Sequence, residues 1–216
     1  MTILKHASYT PADFNIEQRE SLYQGFTQLE KISFRHRLFE QNNYTRVIER
    51  ELIQRKTAAG VLLYSSQQQK FALIEQFRVG AIDDPQSPWQ LEIIAGVLDG
   101  NESPECCIRR ETLEEAGCEL QEIQHLFSFY PSAGACSELF HLYVADVTLP
   151  EHGGIFGLAD EGENIQLHLF NYADITLLFQ QQRLANAPVI MALQWLQQQI
   201  AFNSPSLLST QKTMHG

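Results

Sequence analysis

Residues 96–118, GVLDGNESPECCIRRETLEEAGC, limit what this chain can fold into more than any other stretch. They read as the end of a strand, a glycine-bearing loop and one short bounded helix. Ser103 is a good N-cap, Pro104 suits a first helical turn where its missing N–H costs nothing, and Glu105 complements the positive helix end. Gly117 has no Cβ to clash in the left-handed conformation that closes a helix. The spacing therefore predicts a helix over 104–116. Glu111, Glu114 and Glu115 stand three and four residues apart, so they project from one side of it. Cys106 and Leu113 are expected on the opposite side, packed against a sheet. Like charges at this spacing weaken a helix by about 0.2–0.5 kcal/mol per pair. The cluster is then either an acidic face kept in water or a carboxylate set for a hard divalent cation. Oxygen ligands that leave room for water and phosphate suit Mg²⁺. No His follows these acids at the spacing of a di-iron helix.

The flanking sequence places that helix among strands. Apolar and alternating runs predict strands over 57–65, 71–78, 89–95, 122–130, 138–147 and 165–170. Two more helices are expected at 173–182 and 187–202. In the second of these, Val189, Leu193, Leu196 and Ile200 recur at helical spacing, as core residues do. Strands interrupted by helices predict an α/β sandwich with a mixed sheet. Near the N-terminus, Ile32, Phe34, His36 and Leu38 alternate with Ser33, Arg35 and Arg37. A turn at Asn42-Asn43 and a second strand over 44–53 complete a small antiparallel sheet. Such a sheet is too small to stand alone. The expected division is an N-terminal β extension at 1–54, a main domain at 55–204 and a polar tail at 205–216.

Charge narrows the partners. The 216 residues carry a formal net charge of −11. This argues against a broad nucleic-acid or anionic membrane surface. A phosphorylated ligand would need local cations, supplied by metal ions and a few arginines. No apolar run is long enough to span a membrane, and residues 1–15 have no secretory pattern. Cys106, Cys107, Cys118 and Cys136 show no C-x-x-C spacing, which favours reduced thiols and a cytoplasmic location over disulfides or zinc.

The residues in 96–118 resemble the Nudix box, G-x5-E-x7-R-E-U-x-E-E-x-G-U, where U is a bulky aliphatic. Gly96, Glu102, Arg110, Glu111, Glu114, Glu115 and Gly117 all fall at its spacing, while Thr112 and Cys118 replace the two aliphatics. The resemblance extends through FRHRLFE, LIEQFR, PWQLEIIAG, FYPSAGACSE, GLADEGENI and ALQWL to the bacterial ADP-ribose pyrophosphatase branch of the Nudix superfamily. It implies an α/β/α sandwich and cleavage of ADP-ribose to AMP and ribose 5-phosphate. It implies two or three Mg²⁺ per site, with Mn²⁺ able to substitute. It also implies a homodimer formed through the N-terminal sheet. The branch usually carries a proline where this chain has Ala133, with Pro131 nearby. That departure keeps open another nucleoside diphosphate sugar such as GDP-mannose, or a dinucleotide.

The same resemblance implies roles. Glu111 and Glu115 are the principal metal ligands, joined by the Ala95 carbonyl, with Glu114 and Glu163 accessory. Glu102 and Arg110 orient the loop and helix. Glu161, in the acidic glycine-rich segment GLADEGE, is the catalytic carboxylate. Arg50, Arg55 and Arg78 bind the substrate, and the planar guanidinium suits phosphate. Phe26 stacks on the base, Glu51 and Glu138 are polar contacts, and Thr27, Val97, Ser132, Ala133 and Gly134 complete the substrate-binding set. Two other classes compete. One is a non-catalytic ligand sensor, against which stand the intact acids and the lack of a helix-turn-helix segment. The other is an adaptor whose glutamates are merely solvated.

Overall fold

The run AAGVLLYS has an apolar residue at nearly every position, as a strand covered on both faces requires. It forms β4 (Ala58–Ser65), central to an eight-stranded sheet. The computed structural model describes residues 9–39, 43–158, 160 and 162–203, and those residues fall into two compact units. The first takes in the described residues through Lys56 together with Tyr130–Leu139; the second takes in Thr57–Phe129 and the described residues from Phe140 onward.

The first unit holds β1 (Phe14–Gln24), β2 (Gln28–His36) and β3 (Ile48–Gln54), paired antiparallel in that order. Every residue of β1 is exposed, and ion pairs such as Arg19–Glu30 and Arg35–Glu17 run between β1 and β2. Segment Tyr130–Leu139 bonds to the end of β3: Ile53 N–H donates to Ala135 O (2.8 Å), and Ser137 N–H donates to Ile53 O (3.0 Å). The sequence did not foretell β1, and the strand expected over 44–53 begins only at Ile48. Of the turn expected at Asn42-Asn43, Asn42 lies outside the described residues.

In the second unit, β4 is followed by β5 (Lys70–Phe77), β6 (Trp89–Glu92), β7 (Ile94–Val97), α1 (Pro104–Ala116), β8 (Gln124–Phe129) and β9 (Phe140–Asp146). Then come β10 (Gly154–Phe156), β11 (Ile165–Asn171), α2 (Asp174–Gln180) and α3 (Ala187–Asn203). The sheet runs β10-β11-β5-β4-β9-β8, with β4 and β9 parallel and the other pairs antiparallel. β4 and β5 pair only near their hairpin. Beyond it they diverge, and the 89–97 segment fills the gap. β6 bonds to β5 and β7 bonds to β4, with fully buried Ile93 at the change of partner. The single strand expected over 89–95 is therefore two short ones.

Side-chain alternation sends the sheet's apolar residues to two cores. Ala58, Leu62, Leu73 and Leu142 pack with Ile175 and Leu178 of α2 and with Val189, Leu193 and Leu196 of α3. Ala59, Val61, Leu63 and Ile74 pack on the other face with Cys107, Ile108 and Ala116 of α1. This is the α/β/α sandwich with a mixed sheet that the sequence predicts, and the first unit holds the predicted small antiparallel sheet. One expectation fails. Leu113 is 55% exposed and Cys106 is exposed, so they do not pack on the sheet. The buried face of α1 is Cys107, Ile108, Thr112, Glu115 and Ala116. Among the described residues no helix is long and apolar enough to cross a membrane.

Candidate active site

The caps of α1 form as the residue types require. Ser103 Oγ accepts from Cys106 N–H, and Gly117, at φ 62°, donates its N–H back to Leu113 O. Thr112 occupies a fully buried position, and its hydroxyl donates to Ile108 O (2.6 Å), so no polar atom is stranded. The helix thus turns one edge of its glutamate side toward the end of β7.

There Glu115 is only 3% exposed, and its Oε2 accepts from Ala95 N–H (3.4 Å). Burial, followed by the nearby charge of Glu111, pushes its carboxyl up to about 8. Burial also raises Glu111, an effect that Arg110 opposes. Glu111 lies against Gly96 so closely that a Cβ there would stand 2.6 Å from Glu111 Cγ and closer still to its carboxyl. Glycine at 96 is therefore a condition of this packing.

Arg110 binds the acids together. Its Nη1 donates to Glu111 Oε1 (2.7 Å) and Glu114 Oε2 (3.2 Å), and its Nε and Nη2 reach Glu102 at 3.2 and 3.1 Å. The Arg110 guanidinium holds the Glu102 carboxyl below its usual range. Nη2 also approaches Val97 O (3.4 Å). The chain thus brings Ala95, Val97, Glu111, Glu114 and Glu115 together at one end of α1.

The segment after β10 is tied to the same helix, because Gly157 N–H donates to Glu114 O (3.4 Å). Glu163 caps that turn: its N–H donates to Leu158 O (3.1 Å) and its Oε2 accepts from Leu158 N–H (3.1 Å). The charge of Glu163 is felt at Glu111, Glu115 and Arg78. Glu161 lies outside the described residues. Arg78 is held by Glu92, a residue the sequence reading passed over. Its only sequence signal is an acid standing among apolar neighbours in PWQLEIIAG.

The remaining candidates belong to the first unit. Phe26 is fully exposed in the turn between β1 and β2, with Thr27 beside it. Arg50 and Glu51 are exposed neighbours on β3. Arg55 Nε donates to Glu138 Oε2 (3.2 Å), and its backbone N–H donates to Ser137 Oγ (2.9 Å). Ser132, Ala133 and Gly134 are exposed in a turn in which Ser132 O accepts from Ala135 and Cys136 N–H.

Among the described residues, no three acidic, histidine or cysteine side chains converge tightly enough to hold a metal ion as they stand, and on α1 Arg110 engages Glu111 and Glu114. The donor chemistry nevertheless fits a hard cation. The candidate ligands are all oxygens, and a cation would offset the cost of ionising Glu115 in a site nearly closed to water.

A NUDIX domain model matches residues 54–193. An ADP-ribose pyrophosphatase of Escherichia coli (strain K12) is 38% identical over 185 residues, covering 86% of this chain and 88% of that protein. One from Haemophilus influenzae is 34% identical over 200 residues, covering 91% of each. A GDP-mannose pyrophosphatase of Yersinia pestis is 34% identical over 181 residues, covering 83% of this chain and 89% of that one. The fold is similar to that of a solved ADP compounds hydrolase, with a TM-score of 0.65 at 19% identity over 90% of this chain and 98% of that chain.

Proposed function

The chain belongs to the NUDIX domain family, and on that premise we propose that it is a metal-dependent pyrophosphohydrolase that cleaves ADP-ribose to AMP and ribose 5-phosphate. The observation that carries the reaction class is Glu115, a carboxylate nearly removed from water beside a second acid, Glu111, and bonded to the backbone of Ala95. Burying an ionised Glu115 costs stability unless a cation answers it. The ADP-ribose pyrophosphatases at 38% and 34% identity support the substrate.

The residues that would hold the metal are Glu111, Glu115 and the Ala95 carbonyl, with Glu114 and Glu163 accessory. When bound, Mg²⁺ (two or three ions, with Mn²⁺ able to substitute) spreads the charge that builds on the pyrophosphate oxygens. Glu161 takes the proton of the attacking water. Arg50, Arg55 and Arg78 bind the phosphates, Phe26 the base, and Glu51 and Glu138 the polar groups of the substrate. Thr27, Val97, Ser132, Ala133 and Gly134 complete its surroundings. Arg110 and Glu102 hold the start of α1 in register with the loop before it. The fully exposed β1, bearing Phe14, Ile16 and Leu22, is the surface through which the chain pairs with a second copy. The four free cysteines suit the reducing cytoplasm.

Hydrolysis of ADP-ribose, GDP-mannose, NADH, a diadenosine polyphosphate and a nucleoside triphosphate, with Mg²⁺ and after chelation, tests the reading. Mg²⁺-dependent AMP release, fastest from ADP-ribose, is expected. Faster turnover of GDP-mannose would move the substrate and leave the reaction class. No turnover of any of them would leave a ligand-binding role.

A further inference from the structure

Beyond β4, two and three strands from β7, two imidazoles meet at one hydroxyl. β8 and β9 pair with His125 opposite Tyr143 and Ser128 opposite His141. In a regular strand, residues three apart face opposite sides. The register shift between His125 and Phe127 resets the alternation, so His125 and Ser128 share a side. His125 Nε2 lies 2.9 Å from Ser128 Oγ, and His141 Nδ1 lies 2.8 Å from the same oxygen. The Tyr143 ring packs edge-on against His125 at 5.1 Å.

A serine hydroxyl has one proton to give and lone pairs to accept with. It therefore donates to one ring and accepts the N–H of the other. Two ring nitrogens are thus aimed at one point by the strand pairing. If the angle at that oxygen is tetrahedral, the nitrogens stand roughly 4.7 Å apart; two nitrogens on one Zn²⁺ at about 2.0–2.1 Å stand about 3.4 Å apart. Small side-chain rotations of the half-exposed rings cover the difference.

We propose that His125 and His141 form a binding site for a borderline transition-metal ion, Zn²⁺ or Cu²⁺, with Nε2 of the first and Nδ1 of the second as ligands after Ser128 Oγ turns aside. Water fills the other positions. Neutral imidazole suits these ions, whereas the all-oxygen set on α1 suits Mg²⁺, so ligand type separates the two places. Burial, with His125 as neighbour, favours the unprotonated form of His141, the form that binds metal. The site is independent of the proposed hydrolysis and shares no residue with it.

The test titrates the full chain with Zn²⁺ by calorimetry in saturating Mg²⁺, which keeps the carboxylates occupied. Binding is expected to weaken by about tenfold or more in both His125→Ala and His141→Ala. It should be unchanged in His152→Ala, and at least as tight in Ser128→Ala, where no hydroxyl competes for the nitrogens. The Cu²⁺ electron paramagnetic resonance spectrum should show coupling to two nitrogens in the wild type and to one in either variant. Mg²⁺-dependent hydrolysis should be the same in all four variants, which also reports that they fold. Loss of affinity in only one of the two histidine variants, or in neither, overturns the proposal.

Discussion

Arg78 and Glu92 are locked together: Arg78 Nε lies 3.1 and 3.0 Å from the two carboxylate oxygens of Glu92, and Nη2 lies 2.7 Å from one of them. Gln76 Nε2 approaches the same carboxylate (3.4 Å). Glu92 therefore sets the direction of a guanidinium that we assign to a substrate phosphate. Glu92→Gln keeps the shape and removes the charge that orients Arg78. The expected result is a several-fold rise in KM for ADP-ribose with kcat nearly unchanged, the pattern of lost uniform binding. A kcat that falls with KM constant would remove Glu92 from this role.

Gly96→Ala places a methyl group where the Glu111 side chain lies. The carboxylate must swing out of its position against β7. Steady-state kinetics should show kcat/KM down by about ten- to a hundredfold, as when a catalytic group is misplaced by about an ångström. Circular dichroism should show the fold retained, because α1 keeps its caps.

Glu115→Gln should cost at least about a hundredfold in rate, since it removes a ligand charge. It should also change how stability depends on pH. In the metal-free fold Glu115 titrates near 8, against 4.5 for an ordinary glutamate. Between those values the unfolded chain has released a proton that the folded chain retains, so stability falls as pH rises. The contribution is whole below pH 4.5 and gone above pH 8. Thermal melts in chelator at pH 5 and pH 8 should therefore show the wild type losing at least about 4 °C more than Glu115→Gln. Added Mg²⁺ should restore the wild type most at the higher pH. Parallel melting behaviour of the two proteins would contradict this account of Glu115.

Glu161→Gln should lower kcat by at least about a hundredfold, by the loss of a group that accepts a proton in the transition state. The Mg²⁺-induced rise in Tm should remain. An unaltered rate would remove Glu161 from the mechanism, and a lost Tm response would move it among the metal ligands.

The helix at 104–116 was legible because its signals are local: Ser103, Pro104 and Gly117 each act within one turn. The seven box residues were legible for the same reason. The orientation of that helix was not. A helical wheel puts Leu113 inside and glutamates outside, whereas the fold buries Glu115 and Thr112 and leaves Leu113 exposed. What reverses the pattern is a hydrogen bond to Ala95 and packing on Gly96, both supplied by a distant strand. β1 escaped notice because every residue in it is exposed, so it has no buried face to mark its period. Tyr130–Leu139 reads as a loop of the main domain, yet the Ile53–Ala135 and Ser137–Ile53 bonds join it to the N-terminal sheet. Pairings across some eighty residues leave no trace in local spacing.

The 89–97 segment changes partner at Ile93, bonding to β5 through its first half and to β4 through its second. Ala95 and Gly96, which carry the candidate metal site, sit on the second half of this splice. Gly96 pairs with Ala59 in the β4 ladder and the Ala95 N–H donates to buried Glu115, so both amides lie against the core that α1 covers. Hydrogen exchange there should track global unfolding. The turn at Glu163 is held instead by its own bonds to Leu158, so those amides should exchange without the sheet opening. The candidate metal site thus joins a strand whose opening costs the whole fold to a turn whose opening costs only a few local bonds.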